Sequence, residues 1–298
     1  MGERSGNIRA MSKRLEGKVL ITGVHGQLGR ALAVACRDRG LDHEGRDIDT
    51  LDIRNPNAVD NWITAAQPST VINCAAFTAV DDCETNEGQA LTVNGTAVGY
   101  LAMACDRVGA RLVHVSTDYV FPGDGDRPYT EEDAVGPVSA YGRTKLRGEE
   151  HARSIDSNLI VRTAWLYGRD GNNFVETIRA QIDRGANGLK VVDDQRGCPT
   201  FCDDLADAIF DLIDAGATGL VHAVNAGDTT WHGFAVEIAH HLGADIDIRP
   251  VATKEFPRPA PRPAYSVLDT SRLESILERP MPPWQDALAR YLERPCAP

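Results

Sequence analysis

The sequence predicts an α/β chain: a doubly wound parallel sheet followed by a smaller C-terminal α/β domain. Three observations carry that reading. Short apolar runs rich in β-branched residues (KVLITG, TVINCAA, RLVHVS and NLIVRTAW) recur through residues 18–165. Helical patterns separate them, and a glycine-rich turn joins the first run to the first helix. Strands that are apolar throughout are buried on both faces, which requires helices above and below a parallel sheet.

Each element follows in order. After the first run, Leu28, Leu32, Ala35 and Cys36 fall on one helical face, and Gly40 supplies a helix stop. Leu51-Asp52-Ile53 leads into Asn55-Pro56, and Val59, Trp62, Ile63 and Ala66 then repeat at i, i+3, i+4 and i+7, so a second helix is expected. TVINCAA, RLVHVS and NLIVRTAW read as buried strands by their length and β-branching. Beyond Trp165 the alternation loosens. The stretch EFPRPAPRPAY reads as a stiff, polyproline-like connector over the surface. No internal repeat is present.

Composition narrows the function. With 298 residues there is room for about two domains. Lys and Arg number 31 against 43 Asp and Glu, a net charge of −12, which argues against nucleic acid or an anionic membrane as partner because both need a positive field. No run approaches the ~18 apolar residues of a membrane span. The first 17 residues, MGERSGNIRAMSKRLEG, are polar and lack an apolar core, so they read as a disordered lead, not a secretory signal. Seven widely spread cysteines fit reduced thiols and a cytoplasmic location better than a disulfide framework.

The first strand runs into Thr22-Gly23-Val24-His25-Gly26-Gln27-Leu28-Gly29. Glycines spaced G-x-x-G-x-x-G at a strand-to-helix junction form a phosphate-binding turn. Gly23 permits the turn, Gly26 admits a pyrophosphate, and Gly29 lets the helix pack close to the sheet. The helix N-terminus adds free N–H groups and a positive dipole end. The turn therefore predicts a Rossmann-type dinucleotide site. Near the end of the second strand, Arg46 would favour the 2′-phosphate of NADP and Asp47 the 2′-hydroxyl of NAD, so NADPH and NADH both stay open. Asp52 is a candidate for the adenine amino group, or equally a turn residue.

Tyr141-Gly142-Arg143-Thr144-Lys145 puts a phenol and an ammonium one helical turn apart. A phenol exchanges protons poorly at neutral pH unless a cation stabilises its phenolate, and Lys145 is placed to do so. Ser116-Thr117 ends a strand about 25 residues earlier, where doubly wound sheets hold their ligands.

With these residues in view, the sequence resembles the short-chain dehydrogenase/reductase superfamily in its extended, sugar-nucleotide-modifying branch. TGVHGQLG, NCAAFTAVDDCE, VHVSTDYVFPGDGDRPYTEEDAVGPVSAYGRTKLRGE, RTAWLYG and DDQRGCPT resemble the dTDP-4-dehydrorhamnose reductase family, over roughly residues 18 to 290. The resemblance implies that Thr117 bonds the C4 carbonyl of a dTDP-4-keto sugar, that Tyr141 protonates it, and that Lys145 binds the nicotinamide ribose and keeps the Tyr141 pKa low. It implies cofactor contacts from Gly23, His25, Gly26, Gln27, Leu28, Arg46, Asp47, Asp52, Ile53, Asn73, Cys74, Ala75 and Ala76, together with Tyr141 and Lys145. Thr78, Val80, Thr117, Asp118, Tyr119 and Trp165 would face the sugar nucleotide. Arg262 is the candidate for the diphosphate, with Arg258 and Arg196 as alternatives, because arginine forks match phosphate oxygens. Asn94 matches a helix position of structural importance, and its sequon is taken as chance.

The expected division is a lead at 1–17, a dinucleotide-binding domain at 18–165 completed by 203–225, and a substrate-binding domain at 166–202 and 226–298. Some relatives dimerise around magnesium held by a glutamate early in the first helix. Here Arg30 and Ala31 follow Gly29 and no Glu occurs before Glu44, so magnesium is disfavoured and a monomer or weak dimer is expected. Two alternatives stand beside the reductase: a non-catalytic dinucleotide-binding regulatory subunit, and a sibling epimerase or dehydratase. Dehydratases usually carry Asp-Glu after the strand-end Thr, where this chain has Asp118-Tyr119.

Overall fold

The computed structural model describes residues 15–293. Six strands form the central sheet: β1 (Val19–Thr22), β2 (His43–Arg46), β3 (Thr70–Asn73), β4 (Arg111–Thr117), β5 (Asn158–Thr163) and β6 (Gly219–His222). Their order is β2-β1-β3-β4-β5-β6, and every adjacent pair is parallel. The winding reverses between β1 and β3. Their carboxyl ends part there and open the crevice in which such sheets take ligands.

Five helices flank the sheet: α1 (Gln27–Asp38), α2 (Pro56–Ala66), α3 (Ala97–Val108), α4 (Ala140–Ala152) and α5 (Cys202–Asp214). Side chains alternate along a strand, so β1 sends Val19 and Ile21 to one face and Leu20 to the other. On the first face Leu28, Leu32 and Cys36 of α1 pack with Leu205 and Ile209 of α5. On the second, Val59, Trp62 and Ile63 of α2 pack with Val98 and Leu101 of α3. Two covered faces are why the strands read as unbroken apolar runs. β2 (HEGR) is half-buried throughout and gave no such signal.

After β5 the chain builds a second core around Tyr167, Phe201, Phe234, Trp284, Leu288 and Tyr291. It returns to the first sheet through α5, which packs on α1, and through β6, which pairs with β5. The expected disordered lead falls mostly outside the described residues. Of its last residues, Leu15 packs beside the α1–α5 core and donates its N–H to Asp214 Oδ1 at 2.6 Å.

The proline-rich stretch runs largely exposed, as expected of a surface connector, and is anchored at two points. It is a strap fastened to the first lobe: Ala260 is buried and donates its N–H to Asp81 Oδ1 (3.2 Å), while Arg262 pairs with Asp81 at 3.0 Å. Fixed φ angles keep the strap extended, and these two contacts hold it across the helix Val80–Thr85.

Candidate active site

Helix α4 positions Tyr141 and Lys145. Ser139 caps it, its Oγ accepting from Gly142 N–H at 3.1 Å, and Glu84 accepts from Ala140 N–H at 2.8 Å. Gly142 is required by close approach: a Cβ there would lie 2.2 Å from the Tyr119 carbonyl oxygen. Tyr141 and Lys145 therefore face the carboxyl end of β4.

There the structure brings Thr117, Asp118, Tyr119, Tyr141 and Lys145 together. The Thr117 hydroxyl donates to Asp118 Oδ1 (2.9 Å) and accepts from Tyr119 N–H (3.3 Å). The Tyr119 and Tyr141 rings meet edge to face, 5.6 Å between centroids. Asp118 is buried, and burial pushes its carboxyl up to about 6 against the opposing effect of the Ser266 and Thr117 hydroxyls. Lys145 is 3% exposed and donates from Nζ to the Val115 carbonyl at 2.7 Å; burial pushes its ammonium down to about 8, and Glu149 opposes that shift.

The Tyr141 phenol is raised above its ordinary value, which reverses the expectation that Lys145 keeps it low. Burial is the main cause, the Asp118 carboxylate adds to it, and the facing Thr117 hydroxyl works against both. Lys145 is tied to a backbone carbonyl, so the charge that weighs on the phenol is an anion.

The glycine turn fits a dinucleotide. Gly23 has φ +68°, and a Cβ on it would press on the Ala75 backbone at 2.8 Å; a Cβ on Gly29 would lie 2.1 Å from the Gly23 carbonyl oxygen. Loop Cys74–Ala76 thus lies directly against the turn. α1 begins at Gly26 with no side-chain cap and no acidic residue in its first turn, so its N–H groups are open to an anion, whereas α2 is capped by Asn55.

Several expected cofactor side chains are otherwise engaged. Leu28 and Ile53 are core residues, which leaves only their backbones for a ligand. Asn73 is buried between strands, accepting from Thr22 Oγ1 (2.6 Å) and lying 3.0 Å from His114 Nδ1. Gln27 turns to the second lobe, where its Oε1 accepts from Gly168 N–H (2.8 Å) and Asn173 Nδ2 (2.9 Å). Asp52 holds the Arg54 guanidinium, which draws its carboxyl below the ordinary range. Asp47 Oδ2 accepts from His25 N–H at 2.9 Å and braces the glycine turn, while Arg46 pairs with Glu44 and lies over the Trp62 ring. Burial pushes the Cys74 thiol up to about 12.

On the substrate side Thr78 is exposed and Val80 opens the helix Val80–Thr85. Arg262 Nη1 lies 3.5 Å from the Tyr119 hydroxyl, so the strap reaches the catalytic cluster. Arg258, at 3.9 Å from Asp81, is exposed. Trp165 leaves β5 with φ +46°, a strained backbone for so bulky a residue, and its indole stacks on Trp231 of the second lobe at 3.5 Å. Asn94 sits in a π turn (Thr92–Thr96), where its amide bonds both backbone groups of Phe77 and Thr144 Oγ1; a side chain so enclosed is no sugar acceptor. Sequence reasoning missed Glu149, Arg162 and Asp81, whose partners lie on other elements.

Among the described residues no cluster of three or more His, Cys, Asp or Glu could hold a metal ion, and no helix is long and apolar enough to cross a membrane.

A doubly wound sheet with an uncapped glycine turn at its switch point, beside a Thr–Tyr–Lys set, defines an oxidoreductase of the extended short-chain dehydrogenase/reductase class. The family described as “RmlD substrate binding domain” matches residues 17–296. A dTDP-4-dehydrorhamnose reductase of Streptomyces griseus is 43% identical over 286 residues, 93% of each chain. A probable dTDP-4,6-dihydroxy-2-methyloxan-3-one 4-ketoreductase of Streptomyces antibioticus is 45% identical over 276 residues, 90% of this chain and 92% of that one. The crystal structure of dTDP-4-dehydrorhamnose reductase from Bacillus anthracis in complex with NADP superposes with a TM-score of 0.90 at 36% identity, covering 93% of this chain and 99% of that chain. The chain belongs to the dTDP-4-dehydrorhamnose reductase family.

Proposed function

We propose that this chain reduces the C4 ketone of dTDP-4-dehydro-L-rhamnose to dTDP-L-rhamnose, with NADPH or NADH as reductant and Tyr141 as proton donor. The observation that carries the proposal is a protonated, half-buried phenol facing the Thr117 hydroxyl at the carboxyl end of β4. The bound nicotinamide supplies a hydride for C4. Thr117 and Tyr141 hold O4, and the Tyr141 proton passes to that oxygen as charge develops there. The raised phenol is protonated but a weak acid, so proton delivery needs a cation beside the phenolate that forms. Lys145, on the same helical face, binds the nicotinamide ribose and offsets the phenolate left behind.

Asp118, beside Thr117 at the carboxyl end of β4, offers its carboxyl to a sugar hydroxyl. Tyr119, Trp165, Thr78 and Val80 wall the sugar, and Arg262 meets the diphosphate. Residues 18–165 with 203–225 act as the dinucleotide lobe, and 166–202 with 226–298 as the substrate lobe. The names borne by the Streptomyces relatives support a 4-keto sugar nucleotide as substrate.

The test follows the nicotinamide absorbance with NADPH and dTDP-4-dehydro-L-rhamnose. Wild type consumes NADPH, and Tyr141→Phe lowers kcat by on the order of 10²–10⁴-fold while still binding the cofactor. A Tyr141→Phe variant at full rate, or a wild type that binds NADPH without oxidising it, overturns the proposal; the second result favours a regulatory subunit.

A further inference from the structure

The inner face of α4 carries a buried carboxylate for which the reaction above has no use. Glu149 follows Lys145 by one helical turn, as Lys145 follows Tyr141. It is fully enclosed, and both its oxygens are bonded. Oε1 accepts from Ser116 Oγ (2.6 Å) and Arg162 Nε (2.8 Å), and Oε2 accepts from Arg162 Nη2 (2.8 Å) and Arg153 Nη2 (3.1 Å). Ser116 lies between Val115, whose carbonyl takes the Lys145 ammonium, and Thr117. One carboxylate thus ties α4 to β4 and β5 at the level of the reacting groups.

Packing alone gives no reason for charge at this point, since a buried ion pair can often be replaced by apolar residues of similar volume without loss of stability. The surroundings of Lys145 supply one. The Cys74 thiol, from the loop after β3, is held neutral by burial. His114, on β4, is held neutral by burial and by Lys145 itself. Tyr141 is a phenol, Asp118 weighs on Tyr141, and Arg162, on β5, is paired with Glu149. Against the burial of Lys145, Glu149, one helical turn along α4, acts most strongly in favour of the charged ammonium, and Cys74 adds a smaller effect in the same direction.

We propose that Glu149 is a positioning residue for the reduction: clamped by Arg162 and Ser116, its carboxylate keeps the Lys145 ammonium charged and seated at β4 to receive the cofactor's ribose. This rests on the reading that Lys145 meets the cofactor, and the experiment separates the two. The dissociation constant of NADPH is measured by fluorescence titration from neutral to alkaline pH, with thermal melts confirming the fold of each variant. Wild-type affinity falls on the alkaline side as Lys145 loses its proton, and Lys145→Met abolishes that dependence. Glu149→Gln displaces the fall toward acid by about one pH unit, roughly tenfold weaker binding at a fixed pH on the slope. Glu149→Asp retains the charge and leaves the midpoint in place. Glu149→Gln combined with Arg162→Met removes the orphaned guanidinium as well, and retains a displacement toward acid that is smaller by the guanidinium's own effect. An unmoved midpoint in folded Glu149→Gln and in the double variant overturns the proposal and leaves Glu149 a structural residue. A fall that persists in Lys145→Met overturns the assignment of Lys145, and the proposal with it.

Discussion

Two arginine–carboxylate pairs hold opposite ends of the candidate site, and they differ in their access to water. Arg162–Glu149 lies beneath it, with side chains 1% and 0% exposed, and joins β5 to α4 through two parallel hydrogen bonds. Arg262–Asp81 lies at its rim, 19% and 27% exposed, and joins the proline-rich strap to the helix Val80–Thr85. A buried pair cannot exchange partners, because each lone charge would be stranded in a medium that does not solvate it. A pair that water reaches is worth about 0–1 kcal/mol and can yield to a competing anion. The floor of the candidate site is therefore fixed, and its rim is open to exchange.

Breaking the floor should have the largest effect. Arg162→Met leaves the Glu149 carboxylate without its bidentate partner and removes a guanidinium lying 4.8 Å over the Phe121 ring. The expected loss is about 3–5 kcal/mol of unfolding free energy, read by chemical denaturation. A loss below about 1 kcal/mol would mean that Ser116 and Arg153 satisfy Glu149 unaided, and the contrast with the rim would collapse.

The same contrast marks what the sequence can reveal. Tyr141 and Lys145 are legible because a helix brings i and i+4 together whatever surrounds it. The glycine turn is legible because its requirements are local, and β1, β3, β4 and β5 because burial on both faces writes an apolar run. Nothing periodic joins Glu149 to Arg162, Asp81 to Arg262, Gln27 to Gly168, or Trp165 to Trp231, since each pair meets only after the lobes have folded. β2 wrote no apolar run because its four residues are half-buried and polar, and only its place after the glycine turn marked its end. The direction of the Tyr141 shift was misread for a related reason. Spacing shows that a cation is near, while burial and the position of Asp118 are properties of the folded chain.

At the rim a smaller effect is expected, and of another kind. Arg262→Ala should raise the KM for the dTDP-sugar about tenfold, the worth of one charge-assisted phosphate contact, with kcat and the KM for NADPH little changed. Stability should move by no more than about 0.5 kcal/mol, as for other surface substitutions. A loss of stability comparable to that of Arg162→Met would make the strap part of the fixed frame.

The smallest effect is the most informative about the rim. Asp81 accepts the Arg262 guanidinium at 3.0 Å and lies 3.9 Å from Arg258, so it occupies the cations that a diphosphate would use. Asp81→Asn removes that competing charge but keeps an oxygen that can accept the Ala260 N–H, so the strap stays anchored. If Arg262 changes partner on binding, free dTDP should bind the variant more tightly by the strength of the exposed pair, roughly three- to fivefold in a calorimetric titration. Weaker binding would show the reverse: that Asp81 holds the guanidinium in the orientation the ligand needs, and that the rim pair, although water reaches it, serves the site as rigidly as the buried pair below.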